Sequence, residues 1–189
     1  MIQQFRSDKK AMTLIELILA IVLLNVIILT GISMELGIRR IFSSTDFEAQ
    51  LLSEAVPIMM MVAKDINRAV GDIFVPAVDN ASYNDTVGAK VTYYIRKDAN
   101  VNGLADGGDI FAEYRYSLLT DRLDYRPNSS HGGYTRLSDR VANFYISAPV
   151  KGVCNILLTL RKNAALAANY TNPQVTLNSS AQYRGYSYN

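Results

Sequence analysis

In 189 residues the chain has one cysteine, one histidine and no tryptophan. The lone Cys154 rules out an intrachain disulfide framework and a cysteine-rich zinc module. The lone His131 leaves few imidazole ligands for a metal. It sits in N-S-S-H-G-G-Y, where serines flank it but nothing marks an acid to orient it, so it reads as a loop histidine. A glycine-rich phosphate loop is missing too. Charge of one sign is scarce: 19 Lys and Arg against 17 Asp and Glu give +2, too little to argue for a nucleic-acid partner, and none is predicted. What remains, 49% hydrophobic and 19% charged residues, is ordinary globular composition. The length fits one domain, or one small domain with an appendage.

Other absences are local. Methionine does not occur after Met61, nor tyrosine before Tyr83, so two unlike segments are joined end to end. Charge is missing from the eighteen positions Leu17 to Met34, which are rich in Ile, Leu and Val. As a helix they span roughly 27 Å, close to a hydrocarbon core of about 30 Å. A buried core helix does not fit so long an uncharged run. A secretory signal would need an A-x-A-like cleavage site, for which Gly31-Ile32-Ser33 is a poor imitation. A membrane anchor fits the length. Arg6, Lys9 and Lys10 then place the head of the chain in the cytoplasm, although Arg39 and Arg40 weaken the asymmetry.

Glu16 breaks the pattern. It stands in M-T-L-I-E-L-I-L at the edge of the apolar run, where an acid is costly unless paired. A free α-amino group on Met12 would supply a partner, if the chain were cut after Ala11. The run K-K-A-M-T-L-I-E-L-I-L-A-I resembles the leader of type IV pilins and type II secretion pseudopilins. The resemblance implies that a prepilin peptidase cuts between Ala11 and Met12 and methylates Met12. It also implies that Glu16 neutralises the N-terminal amine of a neighbouring subunit during assembly. Ala11 stands where the family usually has Gly, and Met12 where it usually has Phe. Removing residues 1–11 takes away Arg6, Lys9, Lys10 and Asp8, so 19 basic and 17 acidic side chains become 16 and 16.

Beyond Met34 apolar residues from Ile38 to Val70 recur mostly at steps of three and four, with Arg39, Arg40, Asp46, Glu48, Glu54, Lys64 and Asp65 between them. That predicts an amphipathic continuation of the helix to about Val70, stopped at Gly71. Pro57 predicts a kink near Ser53–Pro57, either a bend used in assembly or a passive seat against the head. Met59, Met60 and Met61 read as core at helical spacing, with an adaptable binding surface as the other option.

Residues 71–189 are patterned as strands: Val91 to Arg96, Ile110 to Leu118, Arg122 to Arg126, Val141 to Ser147, Val153 to Arg161 and Gln174 to Leu177. Turn residues such as N-V-N-G, L-T-D-R and R-P-N-S-S separate them at short spacings that favour antiparallel pairing. The expected class is α+β: a long N-terminal helix whose amphipathic half packs on an antiparallel sheet head. The organisation is a leader (1–11), a transmembrane or filament-core segment (12–35), an amphipathic extension (36–70) and a β-rich head (71–189). The rhythm R-L-S-D-R-V-A-N-F-Y-I-S, then I-L-L-T-L-R, then V-T-L-N-S-S-A-Q-Y-R, is similar to J-type minor pseudopilins and related minor pilins. In those a helix docks on two small sheets.

The one site-like motif is D-A-N-V-N-G-L-A-D-G-G-D, Asp98 to Asp109. It has the spacing of an EF-hand calcium loop. Asp98, Asn100, Asn102 and Asp109 would give side-chain oxygens, Asp106 would act directly or through water, and Leu104 would give its carbonyl. Its flanks read as strands and position twelve is Asp109 rather than Glu, so a plain hairpin loop is the competing reading. Cys154 falls in an apolar strand, either a buried thiol or an intermolecular bridge. The tail Tyr183–Asn189 reads as an exposed terminus or a contact patch.

The expectation is a non-enzymatic minor pilin or pseudopilin, inserted once in the inner membrane with its head in the periplasm, and later part of a filament in the periplasm or at the cell surface. Its implied partners are the prepilin peptidase, other pilin or pseudopilin subunits and the inner-membrane assembly platform. The alternative is a membrane-anchored binding module whose head recognises a ligand or secreted substrate.

Overall fold

The computed structural model describes residues 13–71, 76–85, 88–130, 132–147 and 152–183. One helix, α1 (Leu14–Asn67), precedes eight strands. These are β1 (Val78–Asp85), β2 (Gly88–Lys97), β3 (Ile110–Ser117), β4 (Arg122–Arg126), β5 (Thr135–Ser138), β6 (Val141–Ile146), β7 (Val153–Arg161) and β8 (Gln174–Gln182). By internal contacts the chain divides into two compact units, Met1–Ser43 and Ser44–Asn189.

In the first unit the helix keeps its apolar side chains uncovered. Its most apolar eighteen-residue window has a mean hydropathy of 2.7 and none of it is buried. The segment is long and apolar enough to cross a membrane. Its hydroxyls are satisfied internally: Thr30 Oγ1 donates to the Val26 carbonyl and Ser33 Oγ to the Leu29 carbonyl, both at 2.8 Å. They therefore add no unmet polar group to the apolar surface. Glu35 and Arg39 pair one turn apart and end the uncharged run.

In the second unit the same helix buries one stripe, Leu51, Ala55, Ile58, Met59, Val62, Asp65 and Ile66. Steps of three and four residues place all of them on one face. Met60 points outward while Met59 is buried and Met61 packs at the core's edge, so the methionine cluster divides between core and surface. The helix runs on through Pro57. Pro57 lies on the exposed side, where the Ser53 carbonyl deprived of its amide partner reaches water.

The helix ends at Asn67, three residues before the expected Val70, because the chain leaves it to join the sheet. Val70 N–H donates to the Arg96 carbonyl and Arg96 N–H to the Ala77 carbonyl, both at 3.0 Å. Ala69 bridges Lys97. Gly71 serves this crossing rather than a cap: a Cβ there would stand 2.2 Å from the Ala77 amide nitrogen.

The strands form two antiparallel sheets, β1-β2-β3-β4-β5 and β6-β7-β8. Their inner faces share the core with α1: Tyr93, Ile95, Ala112, Tyr114, Tyr116 and Leu123 from the first, Val141, Phe144, Ile146, Cys154, Ile156, Leu158 and Leu160 from the second. Alternation along β7, with Cys154, Ile156, Leu158 and Leu160 buried, is the period-two pattern of a half-buried strand.

Tyrosine takes the place of the missing tryptophan. Tyr93 and Tyr116 reach across to donate to the Phe144 and Ala142 carbonyls of β6, at 3.4 and 3.0 Å. Tyr93 also meets Phe144 edge-on at 5.4 Å, a favoured aromatic geometry. Tyr114 and Tyr125 donate to Asp65 Oδ2 at 2.7 and 3.2 Å, and Lys97 Nζ stands 3.5 Å from Asp65 Oδ1. Asp65 therefore occupies the buried stripe as the polar pin between helix and sheet. On the outer face both Glu113 oxygens accept from Arg126 Nη2, at 2.7 and 2.6 Å, and Oε2 also accepts from Arg126 Nε at 3.1 Å and from the Tyr134 hydroxyl.

The expected strands are present, with β8 running on to Gln182. β1 and β5 were not anticipated. Tyr183 is a core residue rather than part of an exposed tail, because its amide is held by the Gly152 carbonyl at 3.1 Å. Residues 184–189 and His131 lie outside the described residues.

Candidate functional site

Two groups of residues carry the chemistry. At the start of α1, Thr13 and Glu16 cap each other. Thr13 N–H and Oγ1 donate to Glu16 Oε2 at 2.8 and 2.9 Å, and Glu16 N–H reaches Thr13 Oγ1 at 3.4 Å. This is the reciprocal capping box, with Thr13 outside the first turn and Glu16 at its third position. Thr13 was not singled out in the sequence, although T-x-x-E is its signature. Glu16 thus has a local partner within its own chain, and its carboxylate stays exposed at the head of the apolar surface. Ala11 and Met12 lie outside the described residues.

The second group is the loop Asp98–Asp109, which joins β2 to β3. Asp98 folds its first half: Oδ1 accepts from Asn102 N–H at 3.2 Å and Oδ2 from Gly103 N–H at 2.7 Å. Asp106 gathers the second half. It accepts from Asn100 Nδ2 at 3.1 Å, from Asn102 Nδ2 at 2.6 Å and from Gly108 N–H at 2.8 Å. These bonds, the Gly108 amide first and then Asn102 and Asn100, hold the Asp106 carboxyl below its ordinary range, so it is a carboxylate at neutral pH. Leu104 N–H is fixed by Asn102 Oδ1 at 2.8 Å, while the Leu104 side chain is exposed.

The turns are tight. Gly103 has φ +75°, and Val101 has φ 59°, a left-handed conformation that a β-branched residue adopts only under strain. Asp109 closes the loop: Oδ2 accepts from Asp106 N–H at 2.9 Å and lies 3.5 Å from Arg96 Nη1. Arg96 also donates to the Asp106 carbonyl at 3.4 Å and stacks on Phe111 at 4.8 Å. Its part in closing the loop was not foreseen, because it sits in β2 before the motif begins.

Among the described residues no cluster of three or more His, Cys, Asp and Glu side chains has metal-binding geometry. Any ion in the loop would therefore rely on asparagine and backbone oxygens as well as carboxylates. Asp98, Val101 and Gly103 also wall a cleft of about 560 Å³ shared with Arg68, Val70, Lys97 and Ile110. Cys154 is fully buried and burial pushes its thiol up to about 11, an unreactive thiol.

Compared with family models, with curated proteins and with solved structures, the chain finds no match in any of the three.

Proposed function

We propose that this chain is a minor pilin or pseudopilin: a non-enzymatic subunit that waits in the inner membrane and is incorporated, through its N-terminal helix, into a filament. The observation that carries this reading is the division of labour along α1. From Leu51 to Ile66 one stripe builds the head's core, whereas the apolar surface from Leu14 to Phe42 covers nothing in its own chain. Such a surface needs lipid or the helices of other subunits around it. Asn25 adds to this. It lies within the uncharged run, and its side chain makes no hydrogen bond among the described residues. In an apolar medium that amide is best met by a polar group of a neighbouring helix.

The leader would be cut by a prepilin peptidase after Ala11, on the cytoplasmic side. The head would then lie in the periplasm, and the inner-membrane assembly platform would deliver the subunit to other pilins or pseudopilins. In the filament Glu16 faces the Met12 amine of a neighbour. Two unit charges at 4 Å interact by about 4 kcal/mol at an effective dielectric of 20, so the pair favours the bundle over separated helices.

The capping box makes the test clean. Glu16→Ala removes both the charge and the cap, and a lost cap alone costs about 1 kcal/mol. Glu16→Gln keeps the cap, because glutamine serves at that position, and removes only the charge. The expected outcome is normal membrane insertion of Glu16→Gln with incorporation into filaments reduced at least tenfold. Incorporation equal to that of the unmodified chain would refute the pairing.

A further inference from the structure

We infer that β8 pairs with the β8 of a second copy of this chain, antiparallel and centred on Asn178, so that two three-stranded sheets join into one of six strands. Among the described residues β8 is bonded to β7 along one side and to no strand along the other. Alternate residues of such an edge turn N–H and C=O outward, a template for a further strand.

The three other outer strands are closed or guarded. β6, at the far side of the same sheet, gives its Ala142 and Phe144 carbonyls to Tyr116 and Tyr93, and its Val141 amide to the Asp121 carbonyl. β5 has only four residues, includes Arg136 and meets β4 across a bulge. β1 carries Asp79. β8 has none of these protections: its nine residues, Q-V-T-L-N-S-S-A-Q, contain no charge and no proline, and its register on β7 runs without a bulge. Proteins ordinarily blunt so long and neutral an edge because it invites pairing.

The sequence of β8 points to its own copy as the partner. Set against itself in reverse about Asn178, it matches amide with amide and hydroxyl with hydroxyl on the outer face: Gln174 with Gln182, Thr176 with Ser180, Asn178 with Asn178. Such pairs hydrogen-bond across strands, and no like charges are opposed. On the inner face Val175 meets Ala181 and Leu177 meets Ser179. Val175 and Leu177 are only partly buried at the margin of the core, and a second strand beside them covers their open side. The outer face adds a second support. Tyr145, Leu157 and Asn178 form one register row across β6, β7 and β8, and a cleft of about 400 Å³ opens along it, walled also by Asn155 and Ser180. Symmetry brings the copy's Asn178 to the open end of that row. Nine residue pairs supply about eight to ten main-chain hydrogen bonds, since alternate pairs exchange two; a typical whole interface has about ten. Head-to-head pairing of this kind needs no filament.

The test uses the full chain in detergent micelles. Asn178→Cys, oxidised with copper phenanthroline, should give a disulfide-linked dimer, because opposed Cα atoms lie about 4.5–5.5 Å apart and a disulfide reaches roughly 7 Å. Ser180→Cys alone should not, since four steps of about 3.4 Å put it roughly 14 Å from its copy. Thr176→Cys combined with Ser180→Cys should cross-link again. The unmodified chain is the blank, because Cys154 is buried. In sedimentation equilibrium the unmodified chain should be dimeric at micromolar concentration. Asn178→Lys, a change at an exposed side chain, should weaken the dimer at least tenfold by opposing two ammonium groups. A monomeric unmodified chain, no cross-link at position 178, equal cross-linking by Ser180→Cys, or a dimer undiminished by Asn178→Lys would each overturn the pairing. The edge would then be left to an extended segment of another protein or to water.

Discussion

Replacing Asp65 with alanine is expected to cost about 3 kcal/mol, the low end of the range for breaking a buried ion pair. Asp65 is 7% exposed and answers three groups at once, the hydroxyls of Tyr114 and Tyr125 and the ammonium of Lys97. Alanine leaves all three facing an apolar stripe. Burying a donor without an acceptor costs about 1–3 kcal/mol, and the half-buried Lys97 charge loses its counterion. Asp65→Asn keeps an acceptor for the phenols and should cost less, about 1–2 kcal/mol. For a unit of this size the alanine variant should melt roughly 6–12 °C lower. A drop under about 2 °C would mean that water replaces the carboxylate without penalty and that Asp65 is no pin.

The second large effect is alkaline unfolding. Burial, followed for Tyr125 by the Asp65 charge and for Tyr134 by the hydrogen bond to Glu113, pushes Tyr116, Tyr125 and Tyr134 up to about 12. Tyr114 is pushed higher still, by burial and then by the Asp65 charge, and Tyr93 is raised by burial. An unfolded phenol titrates near 10. Between those values the native chain holds more protons than the unfolded chain, so stability falls as pH rises. The contribution is complete below about pH 10 and is lost as pH climbs through about 12. Each fully linked phenol steepens the fall by up to about 1.4 kcal/mol per pH unit; the half-exposed Tyr125 and Tyr134 give less because water screens them. Denaturant midpoints should be level up to about pH 10 and then drop sharply. The part of the tyrosinate absorbance that comes from Tyr93, Tyr114, Tyr116, Tyr125 and Tyr134 should appear only with unfolding. Ionisation of all twelve tyrosines near pH 10 with the fold intact would contradict the buried-tyrosine core.

These effects rest on contacts that the sequence shows only in part. The apolar run, the helical period from Leu51 to Ile66 and the alternation of β7 are strong periodic signals, and each produced the element it predicted. β1 is not legible because five of the eight residues of V-D-N-A-S-Y-N-D are Asp, Asn or Ala, which are depleted in strands. It is a strand because β2 offers it an eight-residue register. β5 has only four residues and pairs across a bulge at Leu123/Asp124, too short for periodicity to register. Asp65 read as a residue of the wet face, since a sequence does not say that two tyrosines about fifty and sixty positions later will meet it. Tyr183 read as tail for the same reason, its place being set by Gly152 across the fold.

At the candidate sites the balance is similar. The motif from Asp98 to Asp109 and the position of Glu16 were visible as spacing. Thr13 as the partner of Glu16 is legible as T-x-x-E. The contact of Arg96 with Asp109 is a product of tertiary packing, where β2 and the loop's end come together. It has no sequence signal.

On the proposed function the apolar helix is an assembly element released by processing. Co-expressing the chain with a prepilin peptidase and sequencing the N-terminus of the membrane-bound product tests this. The expected product begins at N-methylated Met12, cut after Ala11 and still carrying Glu16 five residues in, counting Met12 as the first. An intact chain that keeps residues 1–11 would contradict it. The helix would then be a permanent anchor, and the head, with the cleft between Arg68 and Lys97, would be a membrane-tethered binding module.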